Sequence, residues 1–402
     1  MAQYIAILGR QPELSAAELN AVARAHLASV LPLMQQAVLV TAPSSFADLY
    51  PRFGGLVKLG VVLTQLPTVD AVFGDGFLKQ LFPHLPAKGK IVFGVSTYGS
   101  APFVRKTQAL GKRLKVFFSE NGRPARFLAS EQGVLSSVVV AKERLLDRGM
   151  ELLLIERDHG DIVVGHTVAV QAFEDFSERD YGRPKRDTAS GMLPPKLARI
   201  MVNLSGAGAS SRLLDPFCGS GTVLQEALFL GCRSVIGSDI SQKAAAETKE
   251  NLSWISRKKH YDLSAVTLLS SDVSELPKGV PPASIDAVVT EPYLGPSQES
   301  AHSLSVRTEL EALYLRAFRV FFRLLVPGGR IVFLFPVLYE NEKPHFIMNL
   351  DALLGVGFRL VQALPPEFVR LYHEKLSFRN SLVYRRSGQR VGRELLLFEK
   401  AG

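Results

Sequence analysis

Apolar and polar positions follow two rhythms along this chain of 402 residues. In the first 172 residues, apolar runs at 4–8, at 36–41, from Ile91 (IVFGVSTYG), in LLLIE and in DIVVGHTVAV predict strands. Helical spacing predicts a helix with Ser15 as N-cap and Glu18 three residues on, a basic amphipathic helix over 103–119, and a third over 136–148. Turns fall at Gly54-Gly55, before LVKLGVVL, and at Asn121-Gly122. The pattern divides this part into a small α/β unit, 1–70, and a second, 71–172. A polar stretch almost without aliphatic residues (EDFSERDYGRPKRDTASG) predicts a linker over 173–190.

From 191 to 402 the rhythm changes to short strands separated by helices. Strands are expected at 212–215, 234–239, 265–270, 285–290 and 330–335, with helices at 222–230, 242–255, 308–325 and 345–354. Such alternation builds a parallel, doubly wound sheet with right-handed crossovers. The tail, SLVYRR and RELLLFEK around SGQRVG, predicts a hairpin or an antiparallel sheet edge.

Composition narrows the function classes. Apolar residues make up 47% of the chain, enough for sizeable cores. A net charge of +9 favours polyanionic partners, which release counterions to clustered Lys and Arg. Cys218 and Cys232 are the only cysteines, too few for a disulfide framework or a four-ligand zinc site, and point to a reducing, cytoplasmic setting. His159, His166, His302, His345 and His373 show no metal-ligand spacing. The N-terminus lacks signal-peptide features, and no apolar run reaches membrane-spanning length, so a soluble protein is expected.

Chemistry concentrates at the predicted strand ends, where open α/β sheets bind ligands. The first ends in LLDPFCGSGT, the second in Asp239, the third in Asp272, the fourth in Thr290-Glu291-Pro292-Tyr293. Gly219 and Gly221 let backbone approach a ligand, and the helix from Thr222 points its amides there. Asp239, 18 residues after Gly221, suits ribose hydroxyls. A dinucleotide fold would need a third small residue after Gly219-x-Gly221, where this chain has Thr222, Val223 and Leu224. Asp215 would repel a pyrophosphate but suits the ammonium or sulfonium of S-adenosylmethionine. Cys218 reads as small loop filler, since no base is adjacent.

DPFCGSGT followed by a TEPY loop resembles class I amino-methyltransferases. RDYGRPKRDTASGMLPPKLARIMVNLSG resembles the THUMP-containing tRNA guanine-N2 methyltransferases of the guanine-10 type. The resemblance covers the whole chain and is most specific over 180–295. It implies an α/β protein: a C-terminal doubly wound, Rossmann-like class I methyltransferase domain (191–402) behind a ferredoxin-like segment (1–70) and a THUMP-like RNA-binding domain (71–172). The cofactor implied is S-adenosylmethionine, bound at Met192, Pro194, Asp215, Pro216, Phe217, Gly219, Gly221, Thr222, Asp239 and Asp272. Asp215, Phe217, Gly219 and Gly221 would meet its methionine end, Asp239 the ribose, Asp272 the adenine amino group, and Met192 to Pro195 the carboxylate. The implied substrate is an exocyclic amino group of guanine in tRNA.

In such enzymes a D-P-P-Y-type loop orients the amine and stacks the base, so Glu291, Pro292 and Tyr293 are the expected catalytic residues. Glu291 stands in place of Asp, and one Pro precedes Tyr293. Without a gap Tyr293 falls on the second Pro and Leu294 on the aromatic position, whereas a one-residue deletion registers Tyr293 on the aromatic, the registration preferred because stacking on a base needs a π face. Arg105, Lys106, Lys112 and Arg113, opposed only by Glu120, form one candidate RNA-binding surface. Arg183, Lys185 and Arg186 form a second, while Arg257, Lys258 and Lys259 read as a solvated helix end. Two other functions stay open: methylation of rRNA guanine or adenine N6 on the same fold, and an RNA-binding or assembly factor that holds S-adenosylmethionine without turnover.

Overall fold

The computed structural model describes residues 1–186, 192–296 and 304–402. Two compact units emerge: Met1–Leu19, Ala23–Pro51 and Gly55–Phe173 form the first, and Asn20–Val22, Arg52–Gly54 and Glu174–Gly402 the second.

The first unit is built on one sheet of β1 (Ala2–Leu8), β2 (Ser29–Met34), β3 (Ala37–Ala42), β4 (Leu56–Leu66), β5 (Ile91–Tyr98), β6 (Ala125–Leu128), β7 (Gly149–Glu156) and β8 (Ile162–Val170). Their order is β2-β3-β1-β4-β8-β7-β5-β6, so the sheet runs unbroken across residue 70, where the hydrophobic pattern placed a boundary. Local signals gave that boundary; the pairing of β4 with β8, a hundred residues apart, is invisible to them.

The first helix is Pro12–Ala25, with Pro at its start, so Ser15 lies in the first turn instead of capping it. Ser15 Oγ reaches the Gly55 carbonyl at 2.9 Å, and Glu18 accepts from the Gly55 amide at 2.8 Å. A Cβ on Gly55 would stand 2.7 Å from Ser15 Oγ, which explains the glycine. The basic helix is Ala101–Glu120, capped by Ser100. The helix expected over 136–148 breaks into Ser137–Lys142 and Leu145–Arg148 because Arg144 adopts a left-handed backbone at φ 54°.

The second unit holds β9 (Arg212–Asp215), β10 (Ser234–Asp239), β11 (Val266–Ser270), β12 (Ile285–Thr290), β13 (Leu325–Glu340), β14 (Lys343–Phe346), β15 (Phe358–Val361), β16 (Leu382–Tyr384) and β17 (Val391–Lys400). The order is β11-β10-β9-β12-β13-β17-β15, with β14 paired to β13 and β16 to β17. β9 to β13 run parallel, while β17 is antiparallel to β13, β15 and β16. The expected tail hairpin is β16–β17. An aromatic core of Tyr314, Phe318, Phe333, Phe335 and Phe398 fixes helix Leu304–Leu324 on the sheet, with Phe318 edge-on to Phe398 at 5.0 Å.

Residues 345–354 are not one helix. Asn341 and Glu342 both take positive φ and turn β13 back into β14, so His345 lies in a strand and only Asp351–Leu354 is helical. The polar stretch at 173–190 also differs from expectation. Phe173–Tyr181 is a helix, with Glu174 onward in the second unit. Its Arg179 is buried, donating to Glu226 Oε1 at 2.7 Å, and Arg199 Nε donates to Glu226 Oε2 at 2.6 Å. Arg257 and Lys258 are exposed in the last turn of helix Gln242–Lys259, the solvated helix end expected, and the Lys258 and Lys259 ammoniums pair there with Glu178 and Asp175 of Phe173–Tyr181. Residues 187–190 lie outside the described residues.

Candidate active site

The strand order reverses between β9 and β12, since the chain winds to β10 and β11 on one side and to β13 on the other. Crevices open at the carboxyl ends of strands at such a switch point. The two strands end in Asp215 and Thr290, and Thr290 Oγ1 donates to Asp215 Oδ1 at 2.6 Å. The Phe217 amide donates to the same oxygen at 3.3 Å. Asp215 is buried, and burial above all pushes its carboxyl up to about 7, with the charges of Asp239 and Glu291 adding to the effect.

Beyond β9 the chain turns through Gly219 (φ 50°) and Gly221 (φ 85°) into helix Thr222–Phe229. Gly219 has open space where a Cβ would stand, whereas one on Gly221 would lie 2.8 Å from Thr248 Cγ2. The Gly219 amide donates to Asp239 Oδ2 at 3.0 Å, joining the ends of β9 and β10, and Thr248 Oγ1 donates to the Gly219 carbonyl at 2.6 Å. Cys218 is buried behind the loop, its thiol pushed up by burial. Asp272 follows β11 and caps the turn at Val273–Lys278, where hydrogen bonds from the Ser274 hydroxyl and amide hold its carboxyl below the ordinary range. Met192 is half-buried and Pro194 precedes helix Pro195–Ser205.

Arg183 does not lie on a solvent-facing surface, contrary to its expected part in gripping RNA. It is 3% exposed, and Nη1 donates to Thr222 Oγ1 at 2.7 Å, beside the glycine loop. Its Nε and Nη2 are buried without a hydrogen-bond partner. Lys185 is pinned by its backbone to Asn251, at 3.0 Å in both directions, and its ammonium faces Glu250 at 3.4 Å. Arg186 lies over the Tyr181 ring and is exposed. In the first unit, Arg105 and Lys112 are exposed, but Lys106 meets Asp70 at 2.7 Å and Arg113 meets Asp75 at 2.5 Å, so Glu120 is not their only opponent. Exposed pairs of this kind are weak.

The loop after β12 carries Glu291, Pro292 and Tyr293. Tyr293 is 59% exposed, and its carbonyl accepts from the buried Tyr314 hydroxyl at 2.7 Å. Glu291 Oε1 accepts from Arg393 Nε of β17 at 2.5 Å. Burial pushes the Glu291 carboxyl up, against the pull of Arg393. Arg393 and Tyr314 escaped sequence reasoning because they lie 102 and 21 residues from their partners, with no shared local motif.

Residues 183–344 match the family model described as UPF0020, RMKL-like, methyltransferase domain. The tRNA (guanine(10)-N2)-dimethyltransferase of Methanothermobacter thermautotrophicus is 36% identical over 199 residues, 49% of this chain and 52% of that protein. The tRNA (guanine(6)-N2)-methyltransferase of Thermus thermophilus is 32% identical over 163 residues, covering 38% and 43%. This chain spans about half the length of the curated relatives it matches. Among solved structures, TrmN from Thermus thermophilus superposes over 99% of both chains with a TM-score of 0.54 at 19% identity, a likeness of fold. Among the described residues, no helix is long and apolar enough to cross a membrane.

Proposed function

We propose that this chain, whose residues 183–344 match the UPF0020, RMKL-like, methyltransferase domain model, is a cytoplasmic S-adenosylmethionine-dependent enzyme that methylates the exocyclic amino group of guanine in tRNA. The observation that carries it is the meeting, at the sheet's switch point, of buried Asp215, the Thr290–Glu291 strand end and exposed Tyr293. The residues present fit the cofactor: open space above Gly219, carboxylates at three strand ends, and a buried Arg183 with unpartnered donors. Asp215, with Pro216 and Phe217, would hold the ammonium end, Asp239 the ribose, Asp272 the adenine amino group, and Arg183 with Thr222 the carboxylate, covered by Met192 and Pro194. When bound, S-adenosylmethionine supplies an electrophilic methyl group.

The chain's own work is positioning. Arg393 holds Glu291 Oε1, which leaves Oε2 to accept a hydrogen bond from the target amine. Tyr293, fixed by Tyr314 at its carbonyl, stacks on the base. The first unit, through Arg105, Lys106, Lys112 and Arg113, binds the RNA backbone, as a THUMP-like module would. Nucleoside mass spectrometry of tRNA incubated with the protein and methyl-labelled S-adenosylmethionine tests this. Label in N2-methylguanosine is expected; label in another nucleoside redirects the pocket, and none at all, with the cofactor bound, favours a factor without turnover.

Cofactor binding should depend on pH. Because the folded-state carboxyl of Asp215 is raised to about 7 from 3.8, it is protonated below that value, and a cationic ligand must displace the proton. The dissociation constant should therefore fall up to about tenfold per pH unit between pH 5.5 and 7, then level off. Folding stability of the ligand-free chain should run the other way, declining as pH rises from about 4 to 7, since the folded state holds a proton the unfolded chain has released. Calorimetric titration across this range checks the binding; a flat profile, or one that survives Asp215→Asn, counts against the ammonium role.

A further inference from the structure

Beyond the end of β12, another strand takes its place. Thr290 is opposite Phe333, whereas Val337 and Leu338 are paired with β17 and with β14 at once. β14 therefore lies on the side of β13 that β12 has vacated, directly past the loop of Glu291 and Tyr293. Its Phe346 meets Phe378 edge-on at 5.2 Å, and Phe378 is 77% exposed. The Arg379 guanidinium covers both rings, 4.8 Å from Phe378 and 5.5 Å from Phe346.

This aromatic surface is held in place. The Ser377 hydroxyl accepts from the amides of Arg379 at 3.1 Å and Ser381 at 3.2 Å, and the Ser377 carbonyl accepts from the Asn380 amide at 2.9 Å. Asn380 supplies the left-handed turn at φ 58°. Ser381 in turn donates to buried Glu394 at 2.6 Å, which faces Arg379 at 3.7 Å. A large ring held in water by a rigid polar loop has no role in the core. Of the seven Arg and Lys in residues 370–393, Arg379, Arg385 and Arg393 pair with Glu394, Glu342 and Glu291, while Arg370, Lys375, Arg386 and Arg390 are exposed, so the solvent-facing charge of this segment is mainly cationic. Rings interleaved with guanidinium groups are the chemistry that takes unpaired nucleotides, bases on the rings and phosphates on the cations.

We propose that Phe378, backed by Phe346 and Arg379, is a stacking platform for an unpaired nucleotide of the RNA next to the one that enters the Tyr293 pocket. Arg386, exposed in the same segment, supplies a phosphate contact. The platform rests on the proposed function for its RNA substrate but uses none of the residues assigned to chemistry or cofactor binding.

Fluorescence anisotropy of labelled tRNA with the full chain, in the presence of S-adenosylhomocysteine, tests it apart from turnover. Phe378→Ala should weaken RNA binding by roughly 10-fold, the scale of one base stack, and Phe378→Tyr should restore it. Arg386→Ala should weaken binding and flatten its salt dependence. Cofactor affinity should not move in any variant. RNA affinity unchanged in Phe378→Ala overturns the platform and leaves the patch to a protein partner. If tRNA is bound through Phe378 but no guanine is methylated, the assigned reaction fails while the platform stands.

Discussion

Replacing Glu291 with Ala is expected to lower methyl transfer to tRNA by roughly 100- to 1000-fold while leaving cofactor affinity within about twofold, the scale of losing one preorganised hydrogen-bonding group. The carboxylate lies at the end of β12 with one oxygen held by Arg393 at 2.5 Å, so its orientation is set before substrate arrives. Glu291→Asp should also be impaired. Withdrawing the carboxylate by one methylene breaks the Arg393 contact and moves the acceptor by about 1 Å, enough for roughly a 100-fold loss. Single-turnover rates at saturating cofactor measure both. A rate within threefold of the parent in Glu291→Ala would remove Glu291 from the mechanism.

Glu226→Ala should cost roughly 3–5 kcal/mol of stability, because it removes the buried carboxylate that the guanidinium groups of Arg179 and Arg199 share. Neither arginine can regain full hydration: both are about 2% exposed, and Arg199 lies 3.6 Å from the Phe229 ring centroid. The sole tryptophan, Trp254, is in helix Gln242–Lys259 of the same unit and reports its unfolding. The urea midpoint should fall by about 1–2 M at an ordinary dependence on denaturant. Glu226→Gln, which keeps the hydrogen-bonding shape but not the charge, should lie between. A loss under about 1 kcal/mol for Glu226→Ala would show that the arginines find other partners.

The loop DPFCGSGT and the acidic residues at strand ends were legible because each serves a local need. Glycines must take positive φ at Gly219 and Gly221, and a carboxylate at a strand end faces the crevice whatever lies elsewhere. Ser15 and Glu18 misled for the same local reason: their capping-box spacing is real, yet both bind the turn at Gly55, forty and thirty-seven residues away. Arg183 misled because a charge run reads as surface, while its burial depends on the loop it meets at Thr222. The exposed ring of Phe378 carries no periodic signal, since exposure alone separates it from a core ring.

By itself the sequence determined the alternation of strands and helices, the doubly wound class of residues 191–402, and which residue types end the parallel strands. Backbone propensity, hydrophobic period and turn stereochemistry act over a few residues and are written in order along the chain. Only the tertiary structure decided that residues 1–172 share one sheet, that Arg393 clamps Glu291, and that Phe378 packs on Phe346 of β14, past the Glu291–Tyr293 loop. Those outcomes depend on contacts between distant segments, whose free energies become favourable only once the loops joining them have closed.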